Sequence, residues 1–175
     1  MTVILALDIA KDRTGWALGR ADEQPVSGVF ETQNWTKVTA DRELDRWRRW
    51  LSRMCEQRRF EAVAHECIFV DVRDRKKFQF SGTQAQMMMA GILFQWCYER
   101  KIPTFEAMIP RWRGHFLGFT SRPAGTDPDY WKTSAMEECR RRGWDWMRYH
   151  DEAEALGILD YAQAQFGKLW GHGHA

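Results

Sequence analysis

Residues 3–8, Val-Ile-Leu-Ala-Leu-Asp, form a short apolar run closed by an acid, the pattern of a strand buried on both faces. Lys11-Asp12-Arg13 supplies a turn, and Thr14–Leu18 and Val26–Thr32 read as a second and third strand, giving an antiparallel opening. Leu44, Trp47, Leu51, Met54 and Cys55 recur at intervals of three and four, which predicts a helix over Asp41–Arg58. Phe60–Glu66 repeats the first motif: an apolar strand that ends in an acid. Thr83–Glu99 reads as a largely apolar helix halted before Pro103, with Met87-Met88-Met89 as core filler. Ile102–Glu106 is a short strand, and Pro110–Leu117 a short helix or turn rich in Arg and Trp. The stretch 120–129 is the most loop-like in the chain. Asp127 and Pro128 predict the N-cap and first residue of a helix that Gly143 ends. The last helix starts near Asp151 and turns Ala155, Ile158, Leu159 and Ala162 inward. The order β-β-β-α-β-α-β-α-α predicts an α/β fold: a central mixed five-stranded sheet flanked by helices, one domain over 1–170, then a flexible tail over 171–175.

Charge narrows the functions this fold can serve. Lys and Arg number 26 against 24 Asp and Glu, so the net charge is only +2 and any nucleic-acid surface must come from local clustering. The 44% hydrophobic and 29% charged content suits a packed globular fold rather than disorder. No apolar run approaches the ~18–20 residues of a membrane helix, so no membrane partner is expected. The apolar N-terminal stretch lacks a basic lead-in and stops at Asp8, so it reads as a strand rather than a signal peptide. Cys55, Cys67, Cys97 and Cys139 are scattered without ligand spacing, which argues for reduced thiols and a cytoplasmic setting. Ten tryptophans leave room for stacking surfaces as well as core.

Candidate chemistry lies in the acids that close elements. Asp8 and Glu66 each end an apolar strand, and Asp151 and Glu154, three apart, share one face at the start of the last helix. Singly, each has an ordinary explanation: a first solvated residue, an N-cap, or an acid favouring the helix dipole. As a set, with the strands adjacent and the helix packed on them, four carboxylates would converge and repel. A divalent cation resolves that repulsion, and oxygen-only ligands suit Mg²⁺ or Mn²⁺. Two such ions, about 3.5–4 Å apart, can clamp the attacking and leaving oxygens of a phosphodiester displacement.

These segments resemble the RuvC-type Holliday-junction resolvases, particularly phage and prophage-like forms, within the RNase H-like superfamily. The resemblance spans nearly the whole chain. It rests on Leu5-Ala-Leu-Asp8 with Thr14-Gly15-Trp16-Ala17, on Ala64-His65-Glu66-Cys67-Ile68-Phe69, on Phe105-Glu-Ala through Arg111-Trp112-Arg113 and Gly118, and on Asp151-Glu-Ala-Glu154-Ala-Leu. The last, similar to the family's Asp-x-x-Asp-Ala-Leu helix, is the most specific. The resemblance implies an RNase H-like fold and a quartet of Asp8, Glu66, Asp151 and Glu154 holding two Mg²⁺, with Mn²⁺ as the alternative ion. It implies that Phe69 stacks at a junction's exchange point and that Arg113 and Lys132 steady the scissile phosphate. It further implies symmetric nicking of four-way DNA junctions by a homodimer, in a cytoplasmic, nucleoid-associated protein of bacterial or phage origin. The chain departs from the pattern in having Ile9-Ala10 where Pro-Gly is common, Glu154 where Asp is commoner, and Arg113 in place of Lys. Glu152 is a neighbouring candidate for the fourth ligand.

Basic residues cluster at Arg46–Arg49 with Arg53, Arg58 and Arg59, at Arg73–Lys77, at Arg111–Arg113 and at Arg140–Arg142. The first reads as the solvated face of a helix. Arg73, Arg75, Lys76 and Lys77 follow Glu66 and Phe69 and are candidates for phosphate contact. Arg111 and Arg113 bracket Trp112, a charge-plus-ring pattern suited to backbone tracking or stacking, with a core role for Trp112 as the alternative. His150 is a candidate for proton transfer or capping, and Thr83–Glu99 is the candidate dimer helix. The competing functions are an RNase H-like nuclease for flaps, forks or RNA–DNA hybrids, and a non-catalytic branched-DNA binder. A sugar-kinase or actin-like ATPase also opens with a strand, an Asp and a Thr-Gly hairpin. It requires two lobes, which 175 residues cannot supply, and no GxxxxGK[ST] loop is present.

Overall fold

The computed structural model describes residues 2–33, 35, 36, 38–68 and 82–170. Its elements run β1 (Ile4–Asp8), β2 (Arg13–Gly19), β3 (Val26–Glu31), α1 (Ala40–Arg58), β4 (Ala62–Glu66), α2 (Gly82–Arg100), β5 (Thr104–Ala107), α3 (Ile109–Leu117), α4 (Tyr130–Arg141) and α5 (His150–Trp170). The five strands form one sheet in the order β3-β2-β1-β4-β5. β1, β2 and β3 pair antiparallel, while β1–β4 and β4–β5 are parallel, so the sheet is mixed as the element order predicts.

Side-chain alternation sorts the two faces of the sheet by size. Ile4, Ala6, Ala17, Ala62 and Ala64 share one core cluster with α5, α3 and α4 residues. Leu5, Leu7 and Val63 share the other with α1 and α2 residues. Alanines on the first face let α5 lie close across β1 and β2, against its own Ala153, Ala155 and Ala162. The larger face takes bulk instead: Trp47, Leu51, Met89, Leu93 and Trp96 are fully buried there. Trp47 donates its ring N–H to the Met89 carbonyl at 3.0 Å, and Trp96 to the Ser52 hydroxyl at 3.0 Å, so both indoles are satisfied as they fix α1 to α2.

One boundary differs from expectation. Asp127 and Pro128 do not open α4; the helix begins at Tyr130. The Asp127 carboxylate instead accepts from the Asp129 N–H at 2.7 Å, and its carbonyl from the Tyr130 N–H at 2.9 Å, forming a turn that precedes the helix. Gly143 does stop it, in the left-handed region at φ +77.

Gly157 sets the seat of α3 on α5. A Cβ there would stand 2.8 Å from Phe116 Cδ1 and 2.9 Å from Trp112 Cζ3, both fully buried rings. Gly157→Ala is therefore expected to destabilise the protein by about 1–3 kcal/mol, the usual cost of overpacking. A denaturant midpoint equal to wild type would contradict this packing.

Candidate metal and active site

β1 and β4 are parallel neighbours with Leu7 opposite His65, so the residues that follow, Asp8 and Glu66, end side by side at one edge of the sheet. Strand alternation places both on the α5 face, with Ala6 and Ala64. Asp8 pairs with Gly15 of β2. Gly15 is the point where α5 meets the sheet: a Cβ there would fall inside the Asp151 carbonyl group. Absence of a side chain at position 15 is thus what admits the first turn of α5 beside Asp8. Asp151 and Glu154 then project from that turn towards the strand ends.

The four carboxylates feel one another. Burial, then the charges of Glu154, Glu66 and Asp151, push the Asp8 carboxyl well above its ordinary range, against the pull of Arg113. Burial also raises Glu66, opposed by its Trp112 hydrogen bond and by Arg113. Glu154 is pushed up to about 7 by burial and by Glu66 and Asp151, with Arg113 and Lys132 acting the other way. Asp151 Oδ2 is buried and accepts no hydrogen bond among the described residues; Arg13 Nη1 stands 3.7 Å away.

Trp112 and Arg113, adjacent on α3, hold two of the acids. Trp112 is fully buried and donates its ring N–H to Glu66 Oε1 at 2.9 Å, so its role is core and support rather than base stacking. Arg113 turns inward, 3.5 Å from Glu154 Oε1, with its guanidinium 4.5 Å from the Trp131 ring centroid and 5.3 Å from that of Trp112. Lys132 pairs with Asp129 at 3.1 Å and lies within the field of Glu154 and Asp151. Arg111 is exposed on the outer side of the same helix. His150 Nδ1 is 3.1 Å from Asp151 Oδ1. Phe69, Arg73, Arg75, Lys76 and Lys77 lie outside the described residues.

Glu152 has different partners from Glu154. It accepts from the Ser27 hydroxyl at 2.9 Å and from the Arg148 N–H at 3.1 Å, tying the start of α5 to β3. Trp146 adds its ring N–H to the same Ser27 oxygen at 3.2 Å. Glu152 is thereby engaged structurally, while Glu154 faces the other acids.

The donor set fits a hard divalent cation: oxygens only, mutually repelling, with one buried oxygen lacking a donor. Among the described residues, no three Asp, Glu, His or Cys side chains are grouped closely enough to hold an ion as placed. As placed, Glu66 accepts from the Trp112 ring N–H and Glu154 lies 3.5 Å from Arg113; these carboxylates, with Asp8 and Asp151, are the ones that would hold such an ion. The sequence pattern pointed to the acids; the supporting residues Gly15, Arg13 and Ser27 carry no signal of this role without knowledge of which strands lie under α5.

The mixed five-stranded sheet with its flanking helices is a fold also seen in solved RuvC structures. The structure of Thermus thermophilus RuvC matches with a TM-score of 0.66 at 16% identity, covering 97% of this chain and 96% of that one. T. thermophilus RuvC in complex with Holliday junction substrate matches at 0.65 and 14% identity, covering 94% and 96%. The yeast mitochondrial Holliday junction resolvase Ydc2 matches at 0.54 and 11% identity, covering 96% and 81%. No protein-family model matches the chain, and no curated protein sequence does. The likeness is therefore one of fold.

Raised carboxyl values set the sign of a pH dependence. Between about 4.5 and about 7 the folded state holds the Glu154 proton that the unfolded state releases, so stability falls as pH rises through that window. Asp8 acts in the same direction. In metal-free buffer, Glu154→Gln is expected to flatten this decline and to be more stable than wild type near pH 8, on the order of 2 kcal/mol. Thermal melts across pH 4 to 8 check it; a variant less stable than wild type at pH 8 would contradict the repulsion.

Proposed function

We propose that the protein is a metal-dependent, structure-selective endodeoxyribonuclease that nicks four-way DNA junctions. The observation that carries this reading is the convergence of Asp8, Glu66, Asp151 and Glu154 at one sheet edge, in a fold shared with resolvase structures. Mg²⁺ or Mn²⁺ at this site would activate water and stabilise the charge that develops on the phosphate. Asp8, which feels the charges of the other three acids, would be the principal ligand, and Glu66, Asp151 and Glu154 would complete the set. Arg113, near the Trp131 and Trp112 rings and 3.5 Å from Glu154, would take up phosphate charge. Arg111, Lys132 and the segment bearing Phe69, Arg73, Arg75, Lys76 and Lys77 would contact the surrounding DNA.

Paired nicks on a two-fold symmetric junction call for two active sites, hence a homodimer. Support for α2 as its interface comes from a stripe at helical spacing: Met87, Phe94 and Tyr98 are exposed, with Gly91 open to solvent between them. No helix among the described residues is long and apolar enough to cross a membrane.

The test is cleavage of a labelled four-way junction with Mg²⁺, Mn²⁺ or EDTA, by wild type and Asp8→Asn, beside duplex, flap and RNA–DNA hybrid controls. Symmetric paired nicks are expected, abolished by EDTA and reduced at least about 100-fold by Asp8→Asn, the scale of losing a principal charge-stabilising group. Preferred cutting of flaps or hybrids would move the protein to another RNase H-like activity. Junction binding without cleavage under any ion would leave a branched-DNA binder.

A further inference from the structure

Helix α1 carries a second basic feature on the opposite face of the sheet from the carboxylates. Arg42, Arg46, Arg49 and Arg53 recur at four, three and four, which aligns them in one row along the helix. The row spans about 16 Å at the α-helical rise. Together with Arg48 and with Arg100 from the end of α2, they line a groove of about 750 Å³.

An ordinary solvated helix face neutralises its arginines with acids one turn away. Here, among the described residues, six arginines pair with three acids: Asp45 on Arg49, Glu43 on Arg46, and Glu99 shared by Arg48 and Arg100. Arg42 and Arg53 are exposed and their guanidinium groups have no partner among the described residues. Several of the others are braced rather than loose. Arg46 is held by buried Glu43 at 2.6 Å and donates to the Glu31 carbonyl at 3.3 Å, and Arg100 lies 4.4 Å from the Trp96 ring centroid. A chain of +2 net charge thus concentrates an uncompensated excess along one line.

The line starts at the catalytic edge. Glu31, which touches Arg46, also pairs with Arg13 at 3.1 Å, and Arg13 stands 3.7 Å from Asp151. β3, the edge strand, separates the two features. A nucleic-acid arm leaving the carboxylates over β3 therefore passes directly onto the row.

We infer that the arginine row of α1 is a second, non-catalytic site that binds the phosphate backbone of a duplex arm outside the active site. This inference rests on the nuclease reading for its choice of polyanion. Linear spacing matches a repeating phosphate chain rather than a single small anion, and guanidinium forks suit phosphate oxygens. Among the described residues the one apolar side chain lining the groove is Phe30, itself buried, so these residues offer nothing to insert into a lipid bilayer.

The experiment is salt-dependent binding of a labelled long-armed junction in EDTA, by wild type, R42Q/R53Q and the charge-matched R20Q/R140Q, with thermal melts to confirm equal folding. Loss of two phosphate contacts is expected to lower the slope of log K against log salt by about 1.8 in R42Q/R53Q, and by less in R20Q/R140Q. Cutting the arms back to the branch point is expected to erase that difference. Equal slopes for wild type and R42Q/R53Q overturn the inference, as does an equal loss in the charge-matched control. Loss of polyglutamate binding with junction binding intact also overturns it and points to an acidic protein partner. Because binding is read without divalent ion, a protein that never nicks junctions but still shows the slope difference would sink the nuclease reading and leave the arginine row standing.

Discussion

The close contact between the Asp151 backbone and Gly15 governs the rest of the molecule. Because β2 presents no side chain at that level, the first turn of α5 comes down onto the strand beside Asp8. Ala6, Ala17 and Ala64 extend the same low surface under the remainder of the helix. Bulk displaced from this face is taken up on the other, where Leu5, Leu7 and Val63 meet the aromatic faces of α1 and α2. The division of small and large residues between two sheet faces is therefore also a division of labour: one face brings charges close, the other supplies burial that stabilises the sheet beneath them.

Bringing carboxylates together is unfavourable by itself. Burial raises Asp8, Glu66 and Glu154, the neighbouring acids add to it at Asp8 and Glu154, and Arg113, Lys132 and the Trp112 N–H act the other way. Those partners sit on α3 and α4, which pack on α5 through Trp112 and Phe116 against Gly157 and through Cys139 and Ala135. The protein thus stabilises its acids with an arginine, a lysine and an indole N–H drawn from α3 and α4. Glu152 lies one residue from Asp151 yet escapes the cluster, because Ser27 and the Arg148 N–H capture it on the β3 side.

Much of this was legible in the chain. Hydrophobic patterning and turn and cap signals located the five strands and four of the helices to within a few residues and left α3 open between helix and turn, and the repeated pattern of an apolar strand closed by an acid singled out Asp8 and Glu66. Asp151 and Glu154 were legible from their spacing and their match to a family motif. What remained hidden depends on pairing across the fold. Trp112 reads equally as a stacking ring or as core until β4 and α3 are placed together. Gly15 reads as an ordinary hairpin glycine until α5 is laid on β2. The arginines of α1 read as solvent-facing until their acidic partners are counted and found too few. Pro128 misled about α4 because Asp127 forms a turn before the helix rather than capping it.

Under the proposed function, the approach of α5 to the sheet at Gly15 would assemble a divalent-cation site from the four carboxylates. Calorimetric titration of Mn²⁺ into wild type and Gly15→Ala, with thermal melts at each ion concentration, tests it most directly. Saturable binding and a rising melting temperature are expected for wild type, and loss of both in a Gly15→Ala protein that remains folded. A wild type indifferent to Mn²⁺ and Mg²⁺, or a Gly15→Ala variant that binds them equally well, would contradict it.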